Sequence, residues 1–163
     1  MTNLKSIVDS LEEIKVTNDF ISYRDECVEL FNKDASDDRS LKQRMMHADC
    51  TLLEYTLIMR GLVQAPYNRV HDFCLQDKKI DVKCISEKSY TPKTKNIKWM
   101  REAFEQGHLT HFGFYRMYGP SRPLEEADIV SFDYIKTVSA KTVLNNLKPS
   151  KFKEGTYYFW VGE

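Results

Sequence analysis

Hydrophobic positions in the first third of the chain recur at helical spacing. Leu4, Ile7, Val8, Leu11 and Ile14 fall on one stripe, as do Cys27, Leu30 and Phe31 after a break near Val16–Asn18. The polar cluster from Asn32 to Asp38 reads as a turn. A longer helix is expected from Asp38 or Ser40 to Gly61, with Met46, Cys50, Leu53 and Leu57 facing a core and Gly61 as its stop.

Pro66 disfavours further helix, and beyond it the period changes to two. Val70, Phe73 and Leu75, then Ile80, Val82 and Cys84, alternate with polar residues, which predicts a β-hairpin. Residues 87–95 read as a loop, and Asn96 can cap a helix that runs to Gln106 and stops at Gly107. Leu109–Tyr118 and Asp128–Ile135 predict strands, Ser139–Leu147 a short helix and Thr156–Val161 a closing strand. The sum is a mixed α/β domain over residues 1–163. Its parts are a helical extension (1–40), a core holding the hairpin (41–118) and a C-terminal strand–helix–strand (119–163).

Composition narrows this little. The chain has 163 residues, 42% of them hydrophobic, which suits one domain with a real core. No apolar run approaches the roughly 18–20 residues that span a bilayer. The opening Met-Thr-Asn-Leu-Lys-Ser lacks a signal-peptide pattern, so a soluble, cytoplasmic protein with no membrane partner is expected. Cys27, Cys50, Cys74 and Cys84 form no metal or disulfide spacing and read as small buried apolar residues.

Charge changes the picture more. Lys plus Arg and Asp plus Glu balance at 24 each, but residues 1–60 carry 8 basic against 12 acidic side chains. From Asp77 to Arg101, Lys78, Lys79, Lys83, Lys88, Lys93, Lys95, Lys98 and Arg101 face Asp77, Asp81 and Glu87, a net of +5 over 25 residues. Such a segment can meet phosphates or be a solvated face.

The chemistry lies in the hairpin. With side chains alternating faces, Asp72 shares a face with Cys74, and Asp81 with Lys83. A two-residue turn at Gln76–Asp77 would set Asp72 opposite Asp81, with Cβ atoms roughly 4.5–5.5 Å apart. A turn at Lys78–Lys79 would slide them several residues apart. Facing carboxylates repel, and a hard divalent cation, Mg2+ or Mn2+, offsets that best. With the metal bound, a phosphodiester oxygen is polarised and a water made nucleophilic. Lys83 can orient or deprotonate that water and offset charge on the phosphate. The bland alternative is a solvent-facing pair of aspartates salt-bridged to Lys83.

Asp72 on one strand and Asp81-Val82-Lys83 on the next resemble the PD-(D/E)XK nucleases, the restriction-endonuclease-like superfamily. The likeness spans residues 45–118, with His71 where that family usually has proline. It implies a restriction-endonuclease-like core, a central mixed sheet flanked by helices, and Mg2+-dependent hydrolysis of DNA. Asp72, Asp81 and the Val82 carbonyl would hold the metal, and Glu54 is the natural candidate for a further ligand. That family also has a strand between the first helix and the aspartate strand, which only Leu62–Asn68, interrupted by Pro66, can supply. Size and the helical N-terminus suit a phage-type or homing endonuclease, or a recombination nuclease, in a bacterial host cell if phage-encoded.

The expected activity is thus a metal-dependent DNA endonuclease. Lys78, Lys79, Lys88, Lys93, Lys95, Lys98 and Arg101 would hold the DNA backbone, and a homodimer would allow both strands to be cut. The rival is a non-catalytic nucleic-acid-binding or protein-interaction domain that keeps the fold. Trp99 is expected in an apolar stripe with Ala103 and Phe104, and Tyr118 and Tyr157–Trp160 in sheet packing. His71 is a strand-facing residue, a donor to the site or a DNA contact. His108 and His111 point to opposite strand faces, a poor zinc pair.

Overall fold

The computed structural model describes residues 3–66 and 71–162; Val70 of the expected hairpin and the end of the Leu62–Asn68 segment lie outside them. The first helix, α1 (Leu4–Asp9), opens on a capping box in which Asn3 and Ser6 satisfy each other's backbone amides. It stops at Ser10, and Ile14 belongs to a strand, β1 (Ile14–Lys15), paired with Val130. The helical stripe expected through Ile14 therefore ends early. Ile14 and Val16 are β-branched and flank Lys15, a pattern that suits a strand equally well.

Helix α2 (Asn18–Asn32) is capped by the Thr17 hydroxyl and buries Phe20, Arg24 and Val28. Leu30, expected on the core stripe, is 66% exposed. The single long helix expected next is two, α3 (Leu41–Asp49) and α4 (Leu52–Met59). At the break the amides of Cys50 and Thr51 bond to carbonyls three residues back, and the Thr51 hydroxyl bonds to the Ala48 carbonyl. That local bonding tightens the turn and ends α3.

The remaining elements are β2 (Phe73–Leu75), β3 (Lys78–Cys84), β4 (Ser89–Tyr90), α5 (Thr94–Glu105), β5 (His111–Tyr118), β6 (Ile129–Ser139), α6 (Ala140–Asn145), β7 (Lys148–Pro149) and β8 (Tyr157–Trp160). Five strands form one mixed sheet in the order β1–β6–β5–β3–β2, with β3 and β5 parallel and the other pairs antiparallel. The chain passes between the parallel strands through α5. The expected closing strand β8 joins a separate sheet, β4–β8–β7.

One face of the sheet packs Phe73, Ile80, Val82, Tyr115 and Tyr134 against Leu4 and Val8 of α1 and Leu53 and Leu57 of α4. The other packs Phe112 and Phe114 against Ile97 and Met100 of α5, Val143 and Leu144 of α6, and Phe159. Gly113 lets the sheet close: a Cβ there would lie 2.2 Å from the Tyr134 hydroxyl oxygen. The buried stripe of α5 is Ile97, Met100 and Ala103, so Trp99 stands 43% exposed rather than in the core. The three-residue step from 97 to 100 to 103 leaves position 99 on the flank of the stripe, about 100° from its centre at 100° per residue. All four cysteines are free, and Cys74, on the outer face of an edge strand, is exposed rather than buried. Among the described residues no helix is long and apolar enough to cross a membrane.

Candidate active site

The turn joining β2 to β3 is Gln76–Asp77, with Phe73 paired to Ile80 and Leu75 to Lys78. Of the two registers the sequence allowed, this one brings the aspartates together. It does so without an Asn-Gly signal, because Gln76 itself takes a left-handed φ of 59°. The amide of Asp72 donates to the Ile80 carbonyl at 2.9 Å, so Asp72 and Phe73 address one partner, as in a β-bulge. From there one Asp72 carboxylate oxygen accepts the Val82 amide at 2.6 Å.

Asp81 is buried, and its carboxylate lies 3.2 Å from the Lys83 ammonium, whose side chain keeps 32% of its surface. Glu54 comes from α4, which Leu53 and Leu57 anchor against Phe73, Ile80 and Val82. The three carboxyl groups interact closely. Burial first, then the charges of Asp81 and Glu54, hold Asp72 well above the usual carboxylate range, with a hydrogen bond to Asp81 adding to the effect. Burial also pushes Glu54 up to about 7, against the opposing pull of a hydrogen bond with Asp72. Lys83 feels the opposite balance: burial would lower it, but Asp81, Tyr90 and Asp72 leave it above its ordinary value.

Two tyrosines border the cluster, and the sequence did not tie either of them to the hairpin. Tyr23 on α2 is raised to about 12, by burial first and then by Cys27, Glu54 and Asp72. Tyr90 on β4 is likewise raised to about 12 by burial, with Lys83 and Asp81 in its field. Its hydroxyl lies 3.3 Å from the Met100 sulfur. Neither could be found from spacing, since α2 and β4 meet the hairpin only through tertiary packing.

The basic residues do not converge on this cluster as one set. The Lys79 ammonium bonds to the Gly107 carbonyl at 2.7 Å, and Lys78 lines a hollow beside Leu4 and Tyr134. Lys93, Lys95, Lys98 and Arg101 are exposed along α5, where Arg101 also donates to the Leu144 carbonyl. Lys88 lines a separate cleft beyond the end of β3. His71 is buried, with Nε2 3.1 Å from the Cys74 sulfur, and His111 lies 2.8 Å from the Thr110 hydroxyl.

The donor set of Asp72, Asp81 and the Val82 carbonyl is all oxygen, the chemistry that suits magnesium or manganese. Burial and the neighbouring charges of Asp81 and Glu54 hold the Asp72 carboxyl well above the usual carboxylate range. That is the electrostatic condition a divalent cation relieves, so the residues fit the ion. Among the described residues no three His, Cys, Asp or Glu side chains stand already gathered as a metal-ligand group. Glu54 meets the pair through its hydrogen bond with Asp72.

No family model matches the chain, and neither a curated protein nor a solved structure matches it significantly.

Proposed function

We propose that this chain is a metal-dependent deoxyribonuclease of the PD-(D/E)XK type, acting at Asp72, Asp81 and Lys83. The observation that carries the reading is the crowding of Asp72, Asp81 and Glu54 around one lysine on a bulged hairpin. Its support from the fold is a mixed sheet flanked by helices, with the acidic hairpin on a strand that pairs in parallel with the next long one. The restriction-endonuclease-like core is part of this proposal.

Asp72, Asp81 and the Val82 carbonyl hold a magnesium or manganese ion, with Glu54 reinforcing Asp72. The bound ion supplies Lewis-acid polarisation of a phosphodiester oxygen and a nucleophile at neutral pH. The Val82 amide fixes the orientation of Asp72 through the 2.6 Å bond. Lys83, held protonated by Asp81, orients the attacking water as a donor and offsets charge building on the phosphate. Its raised pKa favours this role over that of general base. The exposed lysines of α5 supply a face that can bind the DNA backbone. DNA is the substrate in this reading, the protein acts in the cytoplasm, and a homodimer would serve double-strand cutting.

Plasmid, linear and single-stranded DNA incubated with Mg2+ or Mn2+ test the reading, beside EDTA and the variants Asp81→Ala and Lys83→Ala. The expected result is metal-dependent cutting that falls at least roughly 100-fold in both folded variants. Cutting that survives both changes, or no cutting of any substrate, would overturn it in favour of a binding domain without chemistry.

A further inference from the structure

Beyond the C-terminal end of β3 a surface cleft of about 610 Å³ opens between the 86–89 loop, the end of β5 and Trp160. Strands β3 and β5 are parallel, so their carboxyl ends lie side by side there, the place where open α/β sheets leave a crevice. Its lining begins at Ser86, three residues along the chain from Lys83 of the candidate active site.

Its lining is unusual for this protein. Tyr118 is 51% exposed and Trp160 63% exposed, although the aromatic runs containing them were expected to be sheet packing. Their neighbours do pack: Phe112, Phe114 and Phe159 are buried in stacked contacts 6.1–6.2 Å apart. Alternation along β8 turns Trp160 away from the buried Phe159, while Tyr118 shares the face of Phe112 and Phe114 but stands half exposed at the end of β5. Between them stand Lys88 and Arg116, whose guanidinium donates to the Glu87 carbonyl at 3.0 Å and is fixed at the rim by it. Glu87 itself sits on the rim and is the one acidic residue of the lining.

Flat aromatic faces beside two cations form the combination that stacks unpaired bases while neutralising their phosphates. A duplex, whose bases are already stacked, gains nothing from the aromatics. We infer that this cleft binds an unpaired stretch of DNA, stacking a base on Tyr118 and Trp160 with Lys88 and Arg116 on the backbone. The inference deepens the nuclease reading, on which its place beside the reaction rests, by naming a substrate with a single-stranded segment.

The test is binding of the full chain to a labelled oligo-dT of about a dozen nucleotides, and to a blunt duplex of equal length, in EDTA. The variants are Trp160→Ala, Tyr118→Ala, Trp160→Phe and Asp81→Asn, each with its melting temperature. The expected result is single-strand binding roughly tenfold tighter than duplex binding, weakened about tenfold by either alanine variant and kept by Trp160→Phe. Asp81→Asn should bind undiminished, so loss of cleavage and loss of stacking are read apart. Binding that is equal for both DNA forms, or unchanged in folded Trp160→Ala and Tyr118→Ala proteins, would overturn the inference.

Discussion

Among the described residues, Asp49 and the hairpin cluster both bury carboxylates, and they do so to opposite effect. Asp49, almost wholly buried, takes the Arg24 guanidinium on one oxygen at 2.8 Å and the Leu124 amide on the other at 2.9 Å. Arg24 also donates to Asp25 and to the Leu124 carbonyl, so α2, α3 and the segment before β6 are tied by a satisfied network. Burial raises Asp49, and the Leu124 amide and Arg24 pull it back. At the hairpin, Asp81 pairs with Lys83, and Asp72 and Glu54 are pushed up by burial and by the charge of Asp81. The first arrangement completes itself within the chain. The second is incomplete in a way that a divalent cation would complete, which is why we read the first as architecture and the second as a site.

The largest effect expected from breaking this contrast is on stability. Asp49→Ala leaves Arg24 buried without its partner and should cost about 3–5 kcal/mol in chemical denaturation. Asp81→Asn relieves repulsion at the site and should leave metal-free stability equal or higher. An Asp81→Asn protein as unstable as Asp49→Ala would erase the distinction.

A pH effect of intermediate size should separate the two regions further. Glu54 is raised from 4.5 to about 7, so the folded state binds its proton more tightly than the unfolded chain does. The corresponding stability is full below about pH 4.5 and is lost as pH rises through about 7. Glu54→Gln should therefore match the wild type in acid and exceed it above neutrality by on the order of 1–3 kcal/mol, without metal. Denaturant melts at several pH values check this, and a variant that parallels the wild type throughout would contradict it.

The smallest effect concerns the turn that sets the register. Gln76→Gly removes the cost of a left-handed φ at a non-glycine residue and should stabilise the fold by roughly 0.5–1 kcal/mol. A loss of stability in thermal melts would show that the Gln76 side chain matters more than its backbone.

Much of the sheet was legible because its strands alternate cleanly. Phe112, Phe114, Ile80 and Val82 fall where period-two reading places them, and Gly61 and Gly107 end helices at φ +68° and +75°. The site was legible in part, since Asp72, Asp81, Lys83 and Glu54 do come together. What sequence could not choose was the register, which rests on the backbone strain at Gln76, and the bulge at Asp72, which local propensity does not encode. Tyr23, Tyr90, Tyr118 and Trp160 were hidden or misjudged for another reason. Whether an aromatic is covered depends on which element packs over it, and that information is non-local. The break at Cys50–Thr51 was missed because a β-branched side chain bonding its own backbone weighed more than a continuous apolar stripe.

The claim that the hairpin cluster is a cation site can be put to one measurement: calorimetric titration of Mn2+ into the metal-free protein at about pH 8, where the carboxyl groups have the most to gain. The account predicts saturable binding that releases protons, is lost in Asp72→Asn and Asp81→Asn, and is kept in Asp49→Asn if that variant folds. Absence of binding to the wild type, or binding unchanged by substitution of Asp72 and Asp81, would contradict it.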